Sequence, residues 1–140
     1  MDEGDRSWCS SNPENDHRAI TIEVASDSVE PYGVSCLAWE SLIDLAFDVC
    51  QRNGITKLVW LGDDPENVSY ERKPGEALMT LHKWFAKKAC PGPFLISRMP
   101  EIARLVNERL SKDKITTYQK AVDILLDAQK QVVEMLSTQK

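Results

Sequence analysis

The sequence predicts an α/β protein: a mixed β-sheet flanked by helices, incomplete on its N-terminal side and followed by a C-terminal helix. Three observations predict it. Residues 20–25 alternate apolar and polar side chains, residues 57–61 form a short apolar run, and longer segments with helical spacing lie between and after them. The order strand, helix, strand favours parallel pairing through a right-handed crossover. Two strands make a marginal sheet, so we expect a further strand beside residues 20–25.

The first predicted strand has one apolar and one polar face: Ile20, Ile22 and Val24 against Thr21 and Glu23. A carboxylate inside such a strand indicates either a solvated face or a site that the strand lines, so Glu23 is a candidate functional residue. The preceding residues 1–18 are polar and rich in turn-forming residues, which predicts a loop.

A helix is predicted over residues 35–53. Ser35 is a suitable N-cap, Gly54 a C-terminal stop, and the helical repeat consists of Ala38, Leu42, Leu45 and Val49. The strand at residues 57–61 is apolar enough to be buried on both faces. A polar loop is predicted over residues 62–75, where Pro65 and Pro74 act as breakers.

The C-terminal third is predicted to be helical in two parts. Pro93 suits a first helical turn, Pro100 predicts a kink or short break, and the apolar stripe is Leu95, Met99, Ile102, Val106 and Leu110. The charged residues 111–114 then join a second amphipathic helix over residues 116–137. This pattern divides the chain into a partial domain, residues 1–111, and a helical extension, residues 112–140.

Composition excludes several classes of protein. A net charge of −5 argues against a broad nucleic-acid surface, which requires a basic face. No apolar run approaches the ~20 residues of a membrane span, and the acidic start does not resemble a signal peptide. The four cysteines are widely spaced and are interpreted as thiols, with Cys36 and Cys50 as small core residues.

The segment most indicative of chemistry is residues 81–92, LHKWFAKKACPG. It brings an imidazole, His82, and a thiol, Cys90, within nine residues, beside Lys88 and before a Pro-Gly turn. Catalytic zinc takes three protein ligands from His, Cys, Asp or Glu and one water. Taken alone, this spacing is also consistent with a surface histidine and a buried cysteine.

The motifs together resemble the type 2 N-acetylmuramoyl-L-alanine amidases, which include phage lysozyme-amidases and peptidoglycan recognition proteins. In that family a His, a Lys six residues later and a Cys two residues beyond it precede Pro-Gly, and His82, Lys88 and Cys90 match this spacing. Residues 5–8, DRSW, and residues 15–25, NDHRAITIEVA, resemble the family's central segment. The likeness covers about residues 3–110.

The resemblance implies a zinc-dependent peptidoglycan hydrolase that cleaves the amide between N-acetylmuramic acid and L-alanine. His82 and Cys90 would be zinc ligands, Glu23 the general base and Lys88 the group that stabilises the oxyanion. Bacterial peptidoglycan would be the partner, without nucleic acid or membrane insertion. An endolysin of this kind, with no signal peptide, would remain in the cytoplasm until released to the wall.

One element of the family pattern has no counterpart. The first zinc ligand of these amidases is a His on an early strand, whereas the other histidine here, His17, falls in the central segment. The chain thus offers two of three ligands, with His17 or Cys9 as weak substitutes. We expect it to bind zinc poorly and hydrolyse little; a His-bearing strand encoded upstream would restore the enzyme.

Three alternatives remain at this point. The chain is a catalytically weak or inactive amidase-like domain that binds peptidoglycan; a cysteine hydrolase with Cys90 as nucleophile and His82 as base; or a helical interaction protein built on residues 115–138. This last segment resembles the start of helical modules that follow amidase domains in some endolysins, and it is equally consistent with a helix packed on the domain.

Overall fold

The computed structural model describes residues 5–137 as a mostly helical α/β unit with a long C-terminal helix. Its elements are α1 (Pro13–Asp16), α2 (Cys36–Arg52), β1 (Lys57–Val59), β2 (Glu76–Leu78), α3 (Gly92–Ser137) and the 3₁₀ turns Pro65–Ser69 and His82–Trp84. Within residues 5–137, no helix combines the length and apolarity needed to cross a membrane.

Helix α2 begins and ends where the sequence predicts. The Oγ of Ser35 accepts a hydrogen bond from the Ala38 amide at 3.2 Å, and Gly54 follows the C-cap with a φ of 65°. The buried face consists of Leu42, Ile43, Ala46 and Cys50. One prediction for this helix is wrong: Cys36 is exposed at the first turn instead of lying in the core. Leu45, a member of the helical repeat, is 43% exposed.

The sheet has two parallel strands, β1 and β2, in the register Lys57 with Glu76, Leu58 with Ala77 and Val59 with Leu78. The partner of β1 is therefore residues 76–78, which follow the predicted loop, and not residues 20–25. Strand β1 is also shorter than predicted, and the expectation of burial on both faces is wrong because Lys57 is exposed and only Val59 is buried. Among the described residues the sheet is purely parallel rather than mixed.

Residues 20–25 do not form a strand. Their alternation survives, since Ile22 and Val24 pack against the core while Thr21 and Glu23 are exposed. A strand is defined by hydrogen bonds to a neighbour, and the described part of residues 1–18 supplies no such neighbour: it forms α1 and turns. The predicted apolar face is confirmed for Ile22 and Val24 and is wrong for Ile20, which is 41% exposed, and the predicted strand pairing is wrong.

Helix α3 is a single helix of 46 residues, about 70 Å long. The predicted stripe from Leu95 to Leu110 is buried, with exposed fractions of 0% at Val106 to 9% at Leu110, and it packs against α2. Pro100 lies inside a continuous helix, so of the kink or short break predicted there the break is wrong; residues 111–114 continue the helix, so the predicted linker is also wrong. From residue 111 to residue 136 every residue is exposed.

The chain before α2 is held by polar contacts. Asp16 is buried at the end of α1, and its Oδ1 accepts hydrogen bonds from the amide of Ser10 at 3.0 Å and its hydroxyl at 2.6 Å. The predicted loop over residues 1–18 thus contains one helical turn. Residues 1–4 and 138–140, which the sequence assigned to that loop and to the C-terminal extension, lie outside the described residues.

Candidate functional site

A cavity of about 470 Å³ lies between the extended segment at residues 19–24 and the helical core. The carboxylate-bearing Glu23, the imidazole-bearing His82 and the thiol-bearing Cys90 all line it. The other walls are largely apolar side chains from α2, the sheet and α3, among them Leu42, Leu58, Leu78, Leu95 and Met99. Three of the four candidate residues therefore share one cavity, although they come from chain segments far apart in sequence.

His82 opens a 3₁₀ turn, His82–Trp84, directly after Leu81, which is 1% exposed. The Nε2 atom of His82 is buried and has no hydrogen-bond partner among the described residues. A buried polar atom without a partner is costly and uncommon in folded proteins. His82 is thus the candidate residue whose side chain has a buried polar atom without a hydrogen-bond partner among the described residues.

Asp63 anchors the turn that carries His82, a contact that the sequence did not predict. Its carboxylate accepts hydrogen bonds from Lys83 Nζ at 2.5 Å and from Trp84 Nε1 at 2.9 Å. The hydrogen bond from Lys83, followed by that from Trp84, lowers the pKa of Asp63. Trp84 also stacks on Trp60, with ring centroids 5.8 Å apart. These contacts fix the backbone on the C-terminal side of His82.

Cys90 is tied to the same turn through the main chain. The amide of Lys83 donates a hydrogen bond to the carbonyl oxygen of Cys90 at 3.1 Å. Gly92, two residues on, has a φ of 85°, and a Cβ built on it would lie 2.8 Å from Tyr32 Cδ2. The Pro-Gly pair after Cys90 therefore has a steric reason, because a larger residue is strained in this backbone conformation and meets the Tyr32 ring.

The surroundings of the exposed residue Cys90 disfavour ionisation of its thiol. Its pKa is raised, first by desolvation and then by the negative charge of Glu23. The effect of Glu23 also means that its carboxylate lies close enough to Cys90 to act on it electrostatically. A metal ion that bound the Cys90 sulfur would have to displace this proton.

The fourth candidate, Lys88, is not brought into the group. Its side chain is exposed and is not among the residues that line the cavity, while its backbone amide donates to the Ala86 carbonyl at 2.8 Å. Of the two possible substitute ligands, Cys9 lines the cavity, whereas His17 is the exposed C-cap residue of α1 and does not.

The residues present fit only part of a zinc site. The unpartnered Nε2 of His82 and the sulfur of Cys90 are suitable donors on one cavity. Within residues 5–137, however, no group of three or more His, Cys, Asp or Glu side chains is arranged so that it could hold a metal ion. Three protein ligands are the usual minimum for catalytic zinc, so these residues do not make a complete zinc centre.

Comparison with known proteins adds no relative to this description. No family model matches the sequence, and neither the search of curated proteins nor that of solved structures found a match.

Proposed function

We propose that this chain is an amidase-type domain that binds bacterial peptidoglycan. It carries part of the zinc centre with which type 2 amidases hydrolyse the amide between N-acetylmuramic acid and L-alanine. Its small sheet and packed helices would belong to an amidase-like or peptidoglycan-recognition-like fold. The observation that carries the proposal is that His82, whose Nε2 is buried and has no hydrogen-bond partner among the described residues, lines one cavity with Cys90 and Glu23.

Each candidate residue has a role in this proposal. His82 and Cys90 are two metal ligands. Glu23, an exposed residue that lines the same cavity, is the base that takes a proton from water. Lys88 stabilises the oxyanion, which requires its exposed side chain to turn towards the cavity on substrate binding. Since a third ligand is not arranged within residues 5–137, we expect little hydrolysis by this chain.

Binding of peptidoglycan without cleavage, rather than hydrolysis, is favoured by the shortage of metal ligands arranged within residues 5–137. An amidase-like cavity lacking one ligand keeps its shape and its other contacts, so it retains the means to hold glycan and peptide. The cysteine-hydrolase alternative is less well supported. A nucleophilic cysteine needs a depressed pKa beside a base, and the pKa of Cys90 is raised.

Binding to purified bacterial cell walls tests the proposal. We expect the full chain to sediment with the walls and to release few new amino ends, with or without added zinc. The variants His82→Ala and Cys90→Ser are compared with His17→Ala and Cys36→Ser, which change an exposed histidine and an exposed cysteine outside the cavity.

The outcomes separate the candidate functions. Sedimentation weakened by the cavity variants and unaffected by the control variants supports the proposal. Zinc-dependent release of amino ends that is lost in His82→Ala would identify an active amidase and contradict the incomplete centre. A chain that stays in the supernatant is not a peptidoglycan-binding domain. Release abolished by a thiol alkylator but unchanged by a chelator would favour the cysteine hydrolase.

A further inference from the structure

The exposed half of α3 carries a regular apolar stripe that the core does not use. The apolar residues follow alternating spacings of three and four, as in the first and fourth positions of a heptad repeat. They are Ile115, Tyr118, Val122, Leu125, Val132 and Leu136, all exposed, with Gln129 as the polar member of the series. We call these seven residues the distal stripe.

The distal stripe does not continue the buried stripe of the same helix. At about 100° of rotation per residue, the buried side chains from Leu95 to Leu110 point to one side. The distal stripe is centred more than a third of a turn away around the helix axis. A continuous helix therefore carries the distal stripe past the domain, facing away from the surface that the buried stripe contacts. Packing of the distal stripe on its own domain would require the helix to break.

Most charges of this segment lie away from the distal stripe; the exception is Lys114, whose ammonium group lies 5.7 Å from the centre of the Tyr118 ring at the N-terminal end of the stripe. Lys120, Asp123, Asp127, Lys130 and Glu134 fall on the opposite face. The positions that flank a coiled-coil seam carry no charge between residues 115 and 136: Gln119, Ala121, Leu126, Ala128, Val133 and Met135. The apolar surface is thus wider than the seam alone, and no charge pattern selects a partner of a different sequence.

The distal stripe is chemically complementary to itself. Its apolar members need an apolar partner of equal length, and Gln129 needs an amide donor and acceptor, which Gln129 of a second helix supplies in a parallel pair. Burying one such aliphatic side chain removes ~60–120 Å² from water. Two copies paired along three heptads would bury on the order of 1,000 Å², the size at which specific interfaces begin.

We propose that residues 115–136 are a self-association helix, and that the partner of the distal stripe is the same stripe of another copy of this chain. Such an assembly would present more than one cavity to an extended ligand. The proposal does not depend on the function proposed above, because it concerns a different face and a different half of α3.

Adjacent residues of α3 provide a matched pair for the test. Leu125 and Ile124 are each 69% exposed, but Leu125 belongs to the distal stripe and Ile124 lies on the other side of the helix. The mass of the full chain and of the variants Leu125→Glu and Ile124→Glu is measured by sedimentation equilibrium. Circular dichroism verifies that helix content is kept.

We expect the unmodified chain and Ile124→Glu to form dimers or larger assemblies. We expect Leu125→Glu to raise the dissociation constant of the assembly at least tenfold, so that the monomer becomes the main species. The assembly should persist in ~1 M NaCl, where the screening length falls to ~3 Å, because no charges flank the seam between residues 115 and 136. An unmodified chain that is still monomeric at ~100 µM would overturn the proposal. Equal effects of the two variants, or dissociation by salt, would also overturn it.

Discussion

The side chain of Asn107 on α3 completes the hydrogen bonding of Leu58 in β1. Its Oδ1 accepts from the Leu58 amide at 2.7 Å, and its Nδ2 donates to the Leu58 carbonyl at 2.8 Å. The side-chain amide of Asn107 thereby takes the place of a neighbouring strand on the edge of β1 that does not pair with β2. This contact docks the sheet onto α3 and sets the position of the wall that Leu58 contributes to the cavity.

Replacing this amide should destabilise the whole unit. We expect Asn107→Ala to lower the free energy of unfolding by about 1–3 kcal/mol, because two partly buried backbone groups lose their partner. Urea unfolding measures the change. Gln131→Ala removes an exposed side-chain hydrogen bond on the distal part of α3 and should change stability by less than about 0.5 kcal/mol. Equal effects would show that the Leu58 contact contributes nothing specific.

The buried stripe of α3 should carry the main packing energy. Ile102 is 3% exposed, and Ile102→Ala should cost about 2–5 kcal/mol of unfolding free energy through lost burial and a residual cavity. The control, Ile124→Ala, shortens an equally branched side chain on an exposed turn of the same helix. A cost below about 1 kcal/mol for Ile102→Ala would contradict the packing of α3 against α2.

The turn that holds His82 should loosen in acid. The pKa of Asp63 is lowered from 3.8 by the hydrogen bonds from Lys83 and Trp84. A carboxylate with a depressed folded pKa stabilises the structure above its unfolded pKa, and this contribution is lost as the pH falls through the folded value. We expect the fluorescence of Trp84 to change below about pH 4.

The variant Asp63→Asn separates this effect from general acid unfolding. It should remove the low-pH transition of the Trp84 signal and give the loosened spectrum already at neutral pH. An unchanged transition in Asp63→Asn would mean that another group controls the turn.

The proximity of Glu23 and Cys90 can be measured through thiol reactivity. Desolvation and then the Glu23 charge raise the pKa of Cys90, and only the thiolate is alkylated. In Glu23→Gln the alkylation of Cys90, followed by mass spectrometry of its peptide, should begin at lower pH. The exposed Cys36 serves as the internal control and should keep its profile. If the Cys90 profile does not move, Glu23 does not face the thiol.

The sequence predicted the helices better than the sheet, for a physical reason. Caps and the 3.6-residue period are local, so Ser35, Gly54 and the stripe from Leu95 to Leu110 identify α2 and the first half of α3 directly. Pairing is not local: β2 is three residues long, and only the partner strand shows that residues 76–78 belong to the sheet. Residues 20–25 have a strand's pattern but no neighbour to bond.

The family resemblance in the sequence named Glu23, His82 and Cys90 as site residues, and the structure places all three on one cavity. The contacts that support these residues were not predicted. The contact of Asp63 with Lys83 and Trp84 joins residues about twenty positions apart, so a local sequence pattern does not predict it. Lys88 matches in sequence spacing, yet spacing alone does not determine where a long exposed side chain points.

If His82 and Cys90 are two ligands of an incomplete metal centre, as we propose, both side chains should bind cobalt(II), which a titration of the full chain followed by absorbance detects. We predict weak cobalt binding with a sulfur-to-cobalt charge-transfer band. The band should be lost in both His82→Ala and Cys90→Ser and kept in His17→Ala and Cys36→Ser. After dialysis the chain should retain clearly less than one zinc ion. One tightly held zinc per chain, or a cobalt spectrum unchanged in the His82 and Cys90 variants, would contradict the proposal.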